Sequence, residues 1–484
     1  MRRYIRYLLI LFLLLPLLAC TAGGPAGRTT GVERSPLAGL QFEPLEFQVP
    51  EVERLQLPNG IQLYLKEDAE LPLIAASAMV GAGSISVPAA ATGMAELMGV
   101  LLRTGGAGDR TPGEVDEALE MMAANLGVNT ETYTTNFNLS LQAKDLEQGL
   151  AIFADMIRRP QFDAQRLELA RRQAIEGIRR QNDQPDQIAS RAIMRAIYGD
   201  HPLGRTPTEA TVANVDRSDL LRFHQRYFFP NNTWLAITGD FDRGQLLGIL
   251  EKLFGDWQSA EFAAQEIPPV MPHPEPLVLV AAKDIPQTTV LIGQLGIDKA
   301  APDLQAVRVM NYILGGGGFN SRLMREIRSN RGLAYSAYSY FQIGRRLPGP
   351  FIAGTETKTA STMEAVRLMR ELIADMQRQP VSEQELNLAK ESLINSFIFA
   401  FTDTHGIVTQ QMRLDYFDYP EDYLRTYRDE VAAVSAEDVQ RAAREHLDPA
   451  RQKIVLVGDV ADFDGDPAQL GPPVKRVAKT GEFE

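Results

Sequence analysis

Two distant segments of this chain close in the same way. Pro230-Asn231-Asn232 leads into an apolar stretch from Thr233 to Thr238 and then Gly239-Asp240, while Asp448-Pro449 leads into Gln452 to Val457 and then Gly458-Asp459. A recurring closing signature this far apart points to two structural units of one plan rather than one continuous core. Length agrees, because a chain of 484 residues exceeds what a single hydrophobic core usually organises. Between the units, Pro268, Pro269, Pro272, Pro274 and Pro276 set an extended connector.

The first unit opens with apolar alternation on both sides of Asn59-Gly60, a hairpin signal, followed by an apolar strand from Ile74 to Val80. Helical periodicity covers about 93–103 and 114–126, a polar alternating stretch runs from Val128 to Leu141, and helices follow near 144–158 and 163–181. The second unit reads as strands at 277–282 and 288–295, then helices near 302–314 and 319–329. A strand pair near 333–356 and helices near 360–379 and 382–400 complete it. This order predicts an α+β fold, two homologous mixed-sheet halves with helices packed on one face of each, joined by the Pro-rich linker.

The N-terminus carries an address. Arg2, Arg3 and Arg6 precede an apolar run from Tyr7 to Ala19, the pattern of a secretory signal and too short to span a bilayer comfortably. It ends Leu17-Leu18-Ala19-Cys20, which resembles the bacterial lipobox. That resemblance implies a lipidated Cys20 and an exported lipoprotein. Thr21 in place of Asp favours the outer membrane, with the domains facing the periplasm; an ordinary cleaved signal is the other reading. Cys20 is the only cysteine, so no intramolecular disulfide forms. The divisions expected are 1–20 signal, 21–46 flexible tether, 47–265 first half, 266–276 linker, 277–462 second half and 463–484 tail.

Composition excludes some functions. Acidic residues number 62 against 49 basic ones, for a net charge of −13, and no basic stripe appears, which argues against nucleic acid as a partner. No G-x-S-x-G elbow is present. The run Gly315 to Gly318 lacks the Lys-Ser/Thr of a phosphate-binding loop. The five histidines (201, 224, 273, 405 and 446) are all more than ten positions apart, so none forms a local zinc motif.

Several pieces occur in a telling order. They are Gly81-Ala82-Gly83-Ser84, Gly199-Asp200-His201-Pro202-Leu203-Gly204 and Pro230-Asn231-Asn232. The most specific is the run from Gly315 through Phe319-Asn320-Ser321-Arg322-Leu323 and Glu326-Ile327-Arg328 to Gly332-Leu333-Ala334-Tyr335-Ser336. Over roughly 48–462 the chain resembles the pitrilysin/insulinase family of zinc metallopeptidases, in particular short bacterial subunits related to mitochondrial processing peptidase. The resemblance implies halves closing like a clamshell around a peptide. One side carries zinc, and the other supplies an Arg and a Tyr seven positions later near the scissile bond; here these match Arg328 and Tyr335. A guanidinium and a phenol both donate hydrogen bonds and can hold a carbonyl as it becomes an oxyanion.

The family's metal motif, H-x-x-E-H, falls on Gly93 to Val100, where its positions hold Glu96, Gly99 and Val100. Two imidazoles one helical turn apart bind the ion and the Glu activates water. Valine has no lone pair and glycine cannot take a proton. The third ligand of the family matches Glu176. Glu96 and Glu176 together offer two carboxylates, short of the three protein ligands a catalytic zinc needs. The expectation is a non-catalytic, substrate-binding subunit with no metal of its own, beside a zinc-containing family partner and a peptide substrate. A metal-free peptide-binding or scaffold lipoprotein of the envelope is the alternative, and an active peptidase in its own right is the least favoured.

Overall fold

The computed structural model describes residues 49–261, 267–478 and Phe483. The signal, the tether and Cys20 lie outside the described residues. In the first half, strands β1 (Glu53–Gln56), β2 (Gln62–Glu67), β3 (Leu73–Val80), β4 (Asn125–Thr130), β5 (Thr135–Gln142) and β6 (Thr233–Gly239) form one sheet. In the second, β7 (Leu277–Ala282), β8 (Gln287–Leu295), β9 (Ala334–Phe341), β10 (Pro350–Lys358), β11 (Lys453–Gly458) and β12 (Val474–Arg476) form the other. The helices of the first half are α1 (Met94–Thr104), α2 (Pro112–Met121), α3 (Leu146–Arg158), α4 (Ala164–Arg180), α5 (Pro185–Tyr198), α6 (Glu209–Ala213), α7 (Arg217–Tyr227) and α8 (Arg243–Phe254). Those of the second are α9 (Leu304–Asn311), α10 (Thr362–Arg378), α11 (Glu383–Phe397), α12 (Thr404–Tyr416), α13 (Tyr423–Ala433) and α14 (Ala436–His446).

The two sheets repeat one topology. Their orders are β1-β2-β6-β3-β5-β4 and β12-β7-β11-β8-β10-β9, so five consecutive positions correspond. In both, the closing strand pairs in parallel with the opening one (β2 with β6, β7 with β11) and antiparallel with the next. The repeated closing signature of the sequence is therefore the central strand of each sheet, and β11 is buried along its whole length. The outer position differs. In the first sheet β1 folds back through the Asn59-Gly60 turn, pairing Gln56 with Gln62; in the second, β12 arrives from residues set apart as a tail and pairs in parallel with β7.

Local chemistry sets the helix boundaries. Thr111, Ser382 and Ser435 each cap a helix with the acid three positions on (Glu114, Glu385, Asp438) in reciprocal capping boxes. The second helix stops earlier than its periodicity suggests. It ends at Met121, Ala123 turns through a positive φ of 48°, and Asn125 already belongs to β4. The polar alternation from Val128 to Leu141 divides into β4 and β5 around the turn 131–134.

The bulk of the helices cover one face of each sheet, giving two cores. The other faces are covered by exchange. Helix α5 of the first half packs Ala189, Ile193 and Ile197 on Leu279, Leu291, Ile352 and Val455 of the second sheet. Helix α12 of the second half packs Val408, Met412 and Tyr416 on Tyr64, Met79 and Ala236 of the first. Each buried Val, Leu, Ile or Met among them contributes roughly 1.5–3 kcal/mol. Polar contacts add to the exchange. Tyr64 donates to Asp415 at 2.8 Å, Thr404 to Asp68 at 2.7 Å, and Tyr198 to the Pro348 carbonyl at 2.9 Å. The described residues of the two halves are thus interlocked within one compact unit.

Candidate functional site

The glycine-rich run folds into an irregular segment rather than the plain helices its periodicity suggests. After α9 the chain widens into a π-helical stretch, Tyr312–Gly316, passes a short 3₁₀ turn at Gly318–Asn320, and winds into a second π-helical stretch, Met324–Asn330. Such widened turns are frequent at functional sites. Gly315 is required by contact: a Cβ there would lie 2.3 Å from the Ser339 backbone nitrogen on β9. The segment is fixed by named ties. Ser321 Oγ donates to the Gly318 carbonyl at 2.7 Å, and Arg331 pairs with Glu364 at 3.3 Å. Arg322 gives a two-pronged bond to Glu385 at 2.8 and 2.9 Å. Burial alone would raise the Glu385 carboxyl, but bonds from Arg322 and Ser382 outweigh it and bring the pKa down to about 2.

Arg328 differs from its neighbours. Its guanidinium carbon lies 4.5 Å from the Phe319 ring centroid and 4.6 Å from that of Tyr335, between two exposed aromatic faces. Tyr335 is 80% exposed, and Phe319 66%. Among the described residues neither the Arg328 guanidinium nor the Tyr335 hydroxyl makes an ion pair or a hydrogen bond. The structure therefore brings together the two residues the sequence singles out and adds Phe319, which fixes the plane of the guanidinium. Nothing in the spacing of the sequence marks Phe319 for that role. Tyr335 sits on β9, whose outer edge pairs with no other described strand.

The metal positions are a different case. Glu96 and Val100 lie one turn apart on the exposed side of α1, Val100 being 45% exposed. Gly99 is buried against the end of β4: a Cβ there would approach Thr130 Oγ1 to 3.1 Å. The general-base position has thus been given over to helix–strand contact. Glu176 on α4 is exposed and its carboxylate is held by Arg180 at 2.9 Å. These residues do not fit a catalytic zinc, since they offer two exposed carboxylates and no imidazole, and one of the carboxylates is already paired with Arg180. Among the described residues one group of three potential donors exists elsewhere, Asp303, Glu445 and His446. There Asp303 and His446 bond at 2.9 Å, tying the start of α9 to the end of α14.

The backbone of α1 retains the right disposition for ligands, and this gives a direct expectation. The double variant E96H/V100H places two imidazoles at i and i+4 on an exposed face, so zinc should bind and stabilise the chain by about 2.7 kcal/mol at 100 times Kd. Thermal unfolding with and without zinc measures this. Peptide hydrolysis should stay absent, because Gly99 supplies no base. No zinc-dependent stabilisation would mean that α1 has lost ligand geometry as well as ligands.

The other recurring pieces are spent on structure. Asn232 donates to the carbonyls of Tyr227 at 2.8 Å and Gly81 at 3.2 Å, joining two of them. His201 accepts from the Leu203 N–H at 3.2 Å and its Nε2 meets the Pro268 carbonyl at 3.0 Å, which moors the linker.

Two models of one family match consecutive parts of the chain. Residues 65–211 match the family model described as insulinase (peptidase family M16), and residues 214–393 match that of the peptidase M16 inactive domain. An uncharacterised zinc protease of Mycobacterium leprae is 26% identical over 435 residues, covering 86% of this chain and 94% of its own. A non-peptidase homologue of Helicobacter pylori is 24% identical, covering 85% and 93%. The crystal structure of a peptidase M16 inactive domain from Pseudomonas fluorescens superposes with a TM-score of 0.77 at 26% identity, covering 84% of this chain and 98% of that one. With both halves matched, the two sheets repeated and the Arg–Tyr segment in place, this chain belongs to the insulinase family, peptidase family M16.

Proposed function

We propose that the chain is the non-catalytic, substrate-holding subunit of a two-chain insulinase-like peptidase. A partner of the same family carries the zinc, and this chain presents Arg328 and Tyr335 to the peptide. The observation that carries the reading is the asymmetry of the chain's two candidate sites. Tyr335 is exposed, Arg328 lies half-buried against it, and neither polar end makes a hydrogen bond or ion pair among the described residues, while Glu96, Gly99, Val100 and Glu176 lack the donors for a catalytic ion. The interlocking of the halves through α5 and α12 supports a cleft formed between two chains rather than within this one. In that cleft the guanidinium and the phenol donate to a substrate carbonyl oxygen as it gains negative charge. Export and lipidation at Cys20 belong to the same proposal and place the pair at the periplasmic face of the outer membrane. Among the described residues no helix is long and apolar enough to cross a membrane.

The test is isolation of the native assembly from envelope membranes with metal analysis. The expected result is an M16 partner with an intact H-x-x-E-H motif, one zinc per pair, and chelator-sensitive peptide cleavage by the pair but not by this chain alone. A native assembly without such a partner would leave the scaffold reading in its place.

A further inference from the structure

Beyond the Arg–Tyr segment, a cleft of about 500 Å³ with mixed polar and apolar walls opens where α12 crosses the exchanged face of the first sheet. Its floor is Ser77 and Asn138 on β3 and β5, one wall is α12, and the loop between β9 and β10 closes it with Arg345. No carboxylate lines it. Arg413 and Arg345 both reach Glu131 behind the wall, at 3.2 and 3.8 Å, so two guanidiniums share one carboxylate and one positive charge is left over. His405 adds none. Its Nε2 meets Ser77 Oγ at 2.8 Å and its Nδ1 meets Thr238 Oγ1 at 2.9 Å, and burial lowers its pKa. Gln410, on the same face of α12 as Arg413, has a buried side-chain oxygen with no hydrogen-bond donor among the described residues. A buried acceptor without a donor costs about 1–3 kcal/mol, so a ligand that supplies an N–H gains on binding.

An excess cation and an unpaired acceptor three positions apart call for an anion and an N–H on one small molecule. Residues i and i+3 of a helix have Cβ atoms roughly 5–6 Å apart. The carboxylate of a peptide and the backbone N–H of its last one or two residues span that distance at about 3.5 Å per residue. We propose that this cleft binds the carboxy-terminal end of a short peptide, with the carboxylate on Arg413 and Arg345 and a backbone N–H on Gln410. Bound there, the peptide touches both halves of the chain. The site requires neither zinc nor a second subunit, and it stands or falls independently of Arg328.

Titration of the whole exported chain with trialanine and with trialanine amide, followed by calorimetry and thermal unfolding, tests it. The free acid should bind saturably with a Kd of about 1 mM or tighter, and the amide at least about tenfold more weakly. Gln410→Met keeps the length of the side chain but removes the acceptor, touches no bond between the halves, and should weaken the acid several-fold. Arg413→Gln should abolish the preference for acid over amide. Equal binding of acid and amide, or no saturable binding of the acid, would overturn the assignment. So would a Gln410→Met variant that binds like the parent.

Discussion

Arg328→Ala in the reconstituted pair is expected to lower kcat/KM by about 10²–10³-fold, the usual effect of deleting one preorganised oxyanion donor. The loss should fall on kcat more than on KM, because a donor aimed at developing charge acts chiefly in the transition state. Arg328→Lys should recover only part of the rate. An ammonium keeps the charge, but it lacks the planar fork that stacks between Phe319 and Tyr335. Tyr335→Phe retains the ring against the guanidinium and removes one donor, so its effect should be smaller and confined to kcat. Zinc content and pairing of the two chains should be unchanged in all three variants, which separates chemistry from assembly. Kinetics indistinguishable from the parent in Arg328→Ala would defeat the role assigned to this segment.

That Arg328 and Tyr335 would lie side by side was legible in the sequence because a long, specific run carries both, and the replacement of the motif's imidazoles and acid by Glu96, Val100 and Gly99 can be read without coordinates. The strand order was legible in part. The repeated closing signature marks the central strands, yet nothing local to residues 474–476 announces that they complete the second sheet. The helix exchange was hidden for a deeper reason. Periodicity reports that one face of a helix is apolar, and α5 and α12 have such faces, but it does not say which sheet receives them. Likewise the spacing of histidines excludes a local motif while saying nothing of Asp303 meeting His446 across 143 positions. The π-helical winding around Gly315 to Gly318 follows from the close approach of β9, a tertiary constraint that overrides the helical pattern. Gly99 shows the limit in reverse: the sequence reads it as a missing base, and the structure adds that the space is occupied by contact with Thr130.

Acid should destabilise the chain through two pH windows. His224 is buried, with Nε2 2.8 Å from the Ile157 carbonyl and its ring stacked on Phe228 at 4.4 Å. Burial drives its pKa down from 6.5 to about 4, although the bond to Ile157 opposes the shift. His405, between Ser77 and Thr238, is lowered by burial as well. For both, the unfolded chain takes up a proton near pH 6.5 that the folded chain refuses, so stability is complete above pH 6.5 and falls as pH drops below it, for His224 down to about 4. For His224 alone the loss is about 3 kcal/mol at about 1.4 kcal/mol per unit. Glu385 then acts in the lower window. Its folded pKa of about 2 against 4.5 unfolded means that its stabilisation, present above pH 4.5, disappears as pH falls through 2. Urea unfolding at pH 7.5, 6.0 and 5.0 should show the upper window as a declining midpoint at constant m-value. His224→Gln can keep an N–H donor for Ile157 without titrating in this range, and should flatten that decline by about half or more. A midpoint that holds level from pH 7.5 to 5.0 in the parent chain would contradict the burial assigned to these two rings.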